Sequence, residues 1–236
     1  MGLYVGTSGF AYKEWKPGFY PPDLKAADML RFYSARLPSV EINNTFYRTP
    51  TEKLIRDWKD QTPETFVFSL KAPRRITHVQ RLRAADESLE FFIRAARILE
   101  PRLGCMLFQC PPYLRYDAAL LDAFVARLPG GPSRFAMEFR HESWNADEVR
   151  QTLAAHGIAR CFVEDEEGGA ELQRTAKGFV YLRLRKPRYE DADIREWAKR
   201  LVPVLADGAD AYVYFKHEDD PAGVGYGRRL LELASS

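Results

Sequence analysis

FAMEFR, residues 135 to 140, is the stretch that decides the fold. Side chains of a strand alternate faces with a period of two, so Met137 and Phe139 fall on one face and Glu138 and Arg140 on the other. The same phase returns in SVEIN (39–43), where Val40 and Ile42 oppose Glu41 and Asn43. It returns again in FSLKA (68–72), with Phe68 and Leu70 against Ser69 and Lys71, and in YLRLR (181–185), with Leu182 and Leu184 against Arg183 and Arg185. In each segment the second set turns polar or charged toward the C-terminal end. Charges that share one face and one end layer on several strands describe the mouth of a barrel.

Working outward, strand-length apolar segments lie near 3–7, 39–43, 66–71, 104–109, 134–140, 159–164, 178–184 and 211–216, eight in all. Most intervals between them carry a helix-period stretch with a start signal: Asp23 before LKAADMLRFYSARL, Thr51 before EKLIRDWKD, and Asp117 before AALLDAFVARL. Further helical stretches are DESLEFFIRAARIL, ADEVRQTLAAHG, DADIREWAKRLVPVL and GRRLLELA. Strands alternating with helices give an α/β fold with a parallel sheet, and at this length a single (β/α)8, TIM-barrel-like domain over residues 1–236 fits best. One unit departs from the pattern. EDEEGGAELQRTAKG, between the sixth and seventh segments, is polar and broken by Gly168 and Gly169, so its helix is expected to be reduced to a turn or missing. An open dinucleotide-binding sheet would want a phosphate-gripping glycine loop after the first strand, and GTSGF at 6–10 is not one.

Composition sets the outer bounds. The 236 residues are 46% hydrophobic, enough for a sizeable core, and no apolar run approaches the roughly 20 residues of a membrane helix. MGLYVGTSGF has no basic segment ahead of an apolar stretch, and Gly6 stands where an N-myristoylation signal needs Ser or Thr; neither export nor a membrane partner is expected. Cys105, Cys110 and Cys161 are odd in number and lack metal-ligand spacing, which fits a reducing, cytoplasmic setting without a disulfide framework or a metal. The net charge of +2 does not call for a polyanion partner. Its distribution is more telling: KAPRRITHVQRLR (71–83) and RLRKPR (183–188) concentrate basic residues beside two strand ends, where they would attract phosphate or carboxylate groups. EDEE (164–167) and HEDD (217–220) are acidic runs, the second read as a solvated loop.

In a barrel of this kind the loops after the strands build the active site. The first strand would deliver Thr7 and Ser8; the second Glu41 and Asn43, followed by Tyr47 and Arg48; the third Lys71, followed by Arg74 and His78. The fourth ends in Gln109, the fifth delivers Glu138 and Arg140 with Trp144 beyond, and the seventh delivers Arg183. Buried charge costs several kcal/mol unless paired, so Glu41 and Glu138 should meet Lys71, Arg140 or Arg183 in one cluster. That cluster is either a site or a structural plug, and Trp144 and Tyr47 are either platforms or packing. Lys71 is the sharpest candidate: a lysine desolvated at a strand end can supply a neutral amine as base or nucleophile.

GTSGF with Trp15 and Tyr20 following, EINNTFYR (41–48), KAPRRITH (71–78), FQCPP (108–112), EFRHESW (138–144), YLRLR and YVYF together resemble the YecE-like family, domain of unknown function 72. The resemblance runs in order through nearly the whole chain, and it implies a TIM-barrel-like fold with no established activity. Glu41, Asn43, Lys71, His78, Gln109, Glu138, Arg140 and Arg183 stand on matching positions. The family usually reads histidine and glycine after the seventh-strand arginine and asparagines at the end of the eighth strand. Here Arg185 with Lys186, and Lys216 with His217, take those places and add basic character.

The leading expectation is therefore a cofactor-independent enzyme for a small anionic or polar molecule. Arg74, Arg140 and Arg183 would hold an acidic group, Asn43 and Gln109 would orient it, and Glu41, Glu138 and Lys71 would move protons. The competing expectation is a nucleotide or nucleic-acid binder that uses the basic rim with Tyr47 and Trp144 as stacking platforms.

Overall fold

Every strand pairing among the described residues is parallel, which obliges the chain to cross back between neighbouring strands and explains why helices separate most of them. The computed structural model describes residues 2–83, 86–164 and 172–234. Its strands are β1 (Leu3–Thr7), β2 (Ser39–Ile42), β3 (Val67–Lys71), β4 (Leu103–Gln109), β5 (Arg134–Glu138), β6 (Ala159–Arg160), β7 (Phe162–Glu164), β8 (Phe179–Leu184) and β9 (Asp210–Phe215). The α-helices are α1 (Met29–Ser34), α2 (Glu52–Gln61), α3 (Asp86–Arg97), α4 (Ala118–Val125), α5 (Asp147–Ala155), α6 (Asp191–Ala206) and α7 (Ala222–Ala234). The strands form two sheets, one in the order β1-β9-β8-β7 and one in the order β2-β3-β4-β5-β6. No helix among the described residues is long and apolar enough to cross a membrane.

The two sheets meet along both lateral edges. At one edge β1 lies against β2, with a parallel bridge between Ser8 and Glu41 and a hydrogen bond from Gly9 N to Glu41 O (2.8 Å). Just before that bridge β1 and β2 are joined through the hydroxyl of Tyr33, from α1. It accepts from Thr7 N (2.8 Å) and donates to Ser39 O (3.0 Å), replacing ladder bonds the strands do not make with each other. At the other edge the sixth segment changes partner. Ala159 and Arg160 pair with β5, Cys161 N still donates to Met137 O (2.8 Å), and Phe162–Glu164 pair with β8.

The alternation read from the sequence separates two kinds of core. Val5, Val40, Phe68, Met106, Met137 and Val213 face the helices in two large apolar clusters. The other phase faces the space between the sheets, filled by Cys105, Leu107, Ala136, Ala159, Cys161, Phe179, Tyr181, Tyr212 and Tyr214. Polar bridges cross that space. Tyr214 hydrogen bonds both Ser39 and Ser69 (2.8 Å each), and at the N-terminal ends Arg134 pairs with Asp210.

Helix starts follow the cap residues at two places and depart at a third. Thr51 accepts from Leu54 N (3.3 Å) and Asp117 from Leu120 N (3.0 Å), as their positions predict. The helix expected after Asp23 begins only at Met29, behind a 3-10 turn at Ala26–Asp28. Lys16 Nζ accounts for the delay: it binds the carbonyls of Pro22 (3.0 Å) and Leu24 (2.6 Å) and holds the segment as a turn. In EDEEGGAELQRTAKG, residues 165–171 lie outside the described residues, and 172–178 contain no helix.

Gly6 marks how close the two edges come. A Cβ at this position would sit 2.0 Å from Ser39 O, against backbone that cannot swing aside. Gly6→Ala is expected to destabilise the protein by about 1–3 kcal/mol, as overpacking does. Gly130→Ala, where an added Cβ meets nothing within 4 Å, should leave the urea midpoint almost unchanged. Equal midpoints for the two variants would remove Gly6 from its role at the edge.

Candidate functional site

The C-terminal ends of β2, β5 and β8 carry Glu41, Glu138 and Arg183 into the space between the sheets, where they are 0%, 1% and 2% exposed. Arg183 binds both carboxylates: Nη1 donates to Glu138 Oε2 (2.6 Å) and Nη2 to Glu41 Oε1 (3.0 Å). The remaining carboxylate oxygens are also taken. Tyr181 OH donates to Glu41 Oε2 (2.7 Å), while Gln109 Nε2 (2.8 Å) and Arg140 Nε (3.2 Å) donate to Glu138 Oε1. Burial alone would push the Glu138 carboxyl up. The guanidiniums of Arg183 and Arg140, with the Gln109 hydrogen bond, outweigh it and hold the pKa at about 2. Glu138 is therefore an ionised anchor at neutral pH, with no proton to give.

Lys71, at the end of β3, is left out of this arrangement. Among the described residues its ammonium has no carboxylate within ion-pair distance, and it lies over the Phe46 ring, 4.1 Å from the centroid. Burial and then the charge of Arg183 lower its pKa to about 8, against the opposing pull of Glu41 and Glu138. The physical reason is competition: Arg183 engages both nearby carboxylates, and the lysine is desolvated without a counterion. His78 stands near Phe46 with ring centroids 5.0 Å apart, and its pKa is lowered by burial and by Lys71, Arg140 and Arg74. Its Nδ1 shares a hydrogen bond with Thr77 (2.8 Å).

Above this layer opens a cavity of about 370 Å³, lined among others by Asn43, Tyr47, Lys71, Gln109, Arg140 and Arg183. The size falls in the lower range for small-molecule sites. Glu41 and Glu138, beneath the lining, balance the guanidiniums of Arg140 and Arg183, and Lys216 pairs with Glu218 (3.5 Å), so with those carboxylates counted protonated Lys71 leaves the site one positive charge in excess. Two polar atoms of the lining residues, Arg183 Nε and Asn43 Oδ1, are themselves buried and lack hydrogen-bond partners among the described residues. Larger hollows exist, about 610 Å³ around Tyr4 and the Arg134–Asp210 pair and about 670 Å³ around Arg74 and Arg75, but neither is lined by Arg183 or Lys71.

The structure brings Glu41, Asn43, Tyr47, Lys71, Gln109, Glu138, Arg140 and Arg183 to one mouth. Other candidates fall elsewhere. Thr7 is in the opposite phase of β1 and is spent on Tyr33 and on Gly9 O (2.6 Å). Ser8 is buried beside Glu41 with a partnerless hydroxyl, but it does not line the cavity. Arg48 and Arg74 are exposed outside it. Trp144 is not a platform: it is fully buried, stacked on Phe139 (centroids 4.2 Å apart), and donates from Nε1 to Leu114 O (2.7 Å). A residue five or six places beyond a strand end can fold under the loop as easily as over the mouth, and periodicity does not distinguish the two.

Several residues of the basic and acidic runs are drawn into ion pairs. Arg83 pairs with Asp117 (3.1 Å), Lys186 with Glu164 (3.3 Å) and Asp193 (3.2 Å), and Arg188 with Glu190 (2.9 Å). Glu164 is itself buried, accepting from Tyr189 OH (2.9 Å) and Trp197 Nε1 (3.0 Å); residues 165–167 lie outside the described residues. Lys216, at the end of the eighth strand segment, also lines the cavity, as do Tyr12, Asn44, Phe46 and Glu218, which the alternating pattern does not mark as site residues. The one signal for Asn44 and Phe46 is their place directly after a strand end. Glu218 is exposed, as a solvated loop requires, and still borders the cavity, because neighbouring His217 packs on Tyr226 (centroids 5.3 Å apart) and anchors the turn. Among the described residues no group of three or more His, Cys, Asp or Glu could hold a metal ion.

A family profile described as "Protein of unknown function DUF72" matches residues 4–236. UPF0759 protein YunF of Bacillus subtilis is 26% identical over 270 residues, covering 98% of this chain and 94% of the relative. UPF0759 protein YecE of Escherichia coli is 28% identical over 153 residues, 64% of this chain and 53%, about half, of the relative. A crystal structure of a DUF72 family protein from Thermotoga maritima superimposes with a TM-score of 0.81 at 26% identity, covering 100% of both chains. One from Enterococcus faecalis gives a TM-score of 0.81 at 15% identity over 99% of this chain and 96% of that one, a likeness of fold alone.

Arg183→Met would leave two buried carboxylates without their cation and should destabilise the protein by about 3–5 kcal/mol. Adding Glu41→Gln and Glu138→Gln should recover much of the loss in urea unfolding. For wild type, the stabilisation from ionised Glu138 is complete above roughly pH 4.3, the ordinary glutamate value. It is lost as pH falls through about 2. An Arg183→Met midpoint equal to wild type would show that the ion pairs do not brace the sheets.

Proposed function

The chain belongs to the DUF72 family of proteins of unknown function, so the reading rests on the site itself: we propose that the protein is an enzyme acting on a small anionic molecule. In this reading Lys71 is the proton acceptor, and Arg140 receives the anionic group. The observation that carries it is the position of Lys71, with no carboxylate partner among the described residues and its pKa lowered to about 8, in a cavity that, with the carboxylates beneath it counted, has one excess positive charge. At pH 7 a group of that pKa is neutral in about a tenth of molecules, which is enough for a base whose conjugate acid is easily reached. Arg140 suits the binding role because, among the described residues, only its Nε is engaged. A planar guanidinium with free terminal nitrogens takes carboxylate or phosphate in two parallel hydrogen bonds. Glu41 and Glu138 serve here as the anionic floor that keeps Arg183 in place, rather than as proton carriers.

The barrel form belongs to the same proposal. The Ser8–Glu41 bridge joins the two sheets at one edge, and the 159–164 segment pairs with both sheets at the other. These contacts support one continuous ring of strands with the cavity at its C-terminal mouth, where barrels of this type place their chemistry.

A second reading, binding of a nucleotide or nucleic acid, draws on exposed Arg74, Arg75 and Tyr47 around the hollow of about 670 Å³ beside the mouth. Salt separates the two readings, because contact with a polyanion weakens steeply as counterions compete.

Calorimetric titration with a panel of small carboxylates and phosphate esters is the test. At least one should bind, and Arg140→Met should weaken it by about 10- to 100-fold, the worth of hydrogen bonds to a charged group. Turnover of any substrate found should rise with pH and level off above about 8, as Lys71 loses its proton. Affinity unchanged in Arg140→Met, or activity unchanged in Lys71→Met, would sink this reading. RNA or DNA binding that falls steeply with salt, and no small-acid binding, would favour the second.

A further inference from the structure

We propose that Lys71 is a carbonyl-capturing nucleophile: its amine forms an imine with a small 2-oxo acid or aldehyde acid whose anionic group is held by Arg140. The inference rests on the anion-binding reading above and names its substrate class and its covalent step. Three observations meet in one place. Lys71 Nζ lies over the face of Phe46 with no acid to pair with among the described residues, so no counterion holds it as the ammonium and the amine with its lone pair is within reach. Arg140 borders the same cavity with its terminal nitrogens unengaged among the described residues. Arg183, 98% buried and bonded to two carboxylates, borders the same cavity and keeps both acids away from Lys71.

The chemistry balances without a metal, oxidant or reductant. The lone pair of Nζ attacks the carbonyl carbon, the C–N bond forms, and the C=O π pair moves onto oxygen. The two amine hydrogens then leave with that oxygen as water while nitrogen makes its second bond to carbon. A proton taken from solvent converts the imine to an iminium, which withdraws electrons from the adjacent C–H and C–C bonds. Lys216, the other lysine of the lining, is a poorer nucleophile because Glu218 holds its ammonium (3.5 Å).

The test is reductive trapping. Protein incubated at pH 8 with glyoxylate or pyruvate and then borohydride should carry one reduced adduct per chain, mapped by peptide mass to Lys71. Lys71→Arg, with folding checked by its thermal midpoint, should abolish the adduct, and Lys199→Arg on the exposed face of α6 should leave it unchanged. Arg140→Met should lower the labelling rate about 10-fold with glyoxylate but little with acetaldehyde, which has no acid group. Labelling spread over surface lysines, or unchanged in Lys71→Arg, overturns the imine. Binding of glyoxylate that depends on Arg140, without an adduct at Lys71, also overturns it while leaving the anion-binding reading intact. Equal trapping of glyoxylate and acetaldehyde at Lys71 overturns the assignment of Arg140 to the acid group, and the anion reading with it.

Discussion

The double ion pair of Arg183 is the interaction on which the rest of the mouth depends. One guanidinium on β8 reaches Glu41 on β2 and Glu138 on β5, so a single side chain ties one sheet to two strands of the other. Three charges buried this deeply are tolerable only together, because each would be expensive alone. That mutual need makes the arrangement all-or-none. It also explains the secondary partners: Tyr181, Gln109 and Arg140 occupy the lone pairs that Arg183 does not reach, leaving the carboxylates fully engaged.

Below this layer the space between the sheets is closed by size and by hydroxyls. Aromatic side chains from β8 and β9 fill it from one side, where β3, β4 and β5 contribute Ser69, Cys105, Leu107 and Ala136. Gly104 belongs to the same fit, since a Cβ there would fall 2.7 Å from Val67 and 2.8 Å from Tyr212. Tyr214, bonded to Ser39 and Ser69, links the filling to the strands opposite. Among the described residues the floor under the cavity is therefore packed.

Much of this architecture is legible in the amino-acid sequence, and the reason is the period of two. A strand whose one face is apolar and whose other face ends in Glu138 and Arg140 has its register dictated, because a slip by one residue would exchange the two faces. Seven of the eight strand segments are single strands; the eighth, 159–164, is split where Cys161 changes partner, which no local pattern encodes. The charged floor is readable for the same reason. The loops are not. Trp144 folds beneath its loop and Glu218 over the mouth, and both follow from tertiary packing rather than from spacing. Which carboxylate pairs with which cation is also beyond the sequence: five charges on one face permit several matchings, and only the geometry shows that Lys71 is the one left over.

That remainder has an energetic meaning. A lysine whose pKa falls from 10.5 to about 8 on folding binds protons less well in the folded chain than in the unfolded one. The folded state is penalised for the charged amine at every pH below about 8, and the penalty is relieved as pH rises from 8 toward the unfolded value. By the size of the shift, the cost at neutral pH is on the order of 3 kcal/mol. A merely structural mouth would shed this cost by replacing the lysine with a neutral residue of similar length, or by giving it one of the two carboxylates. Here both carboxylates are held by Arg183, and the amine is placed over an aromatic face at the wall of an open cavity. Strain of this kind, kept at one group beside a space large enough for a small molecule, is the ground on which the proposed reactive role of Lys71 rests.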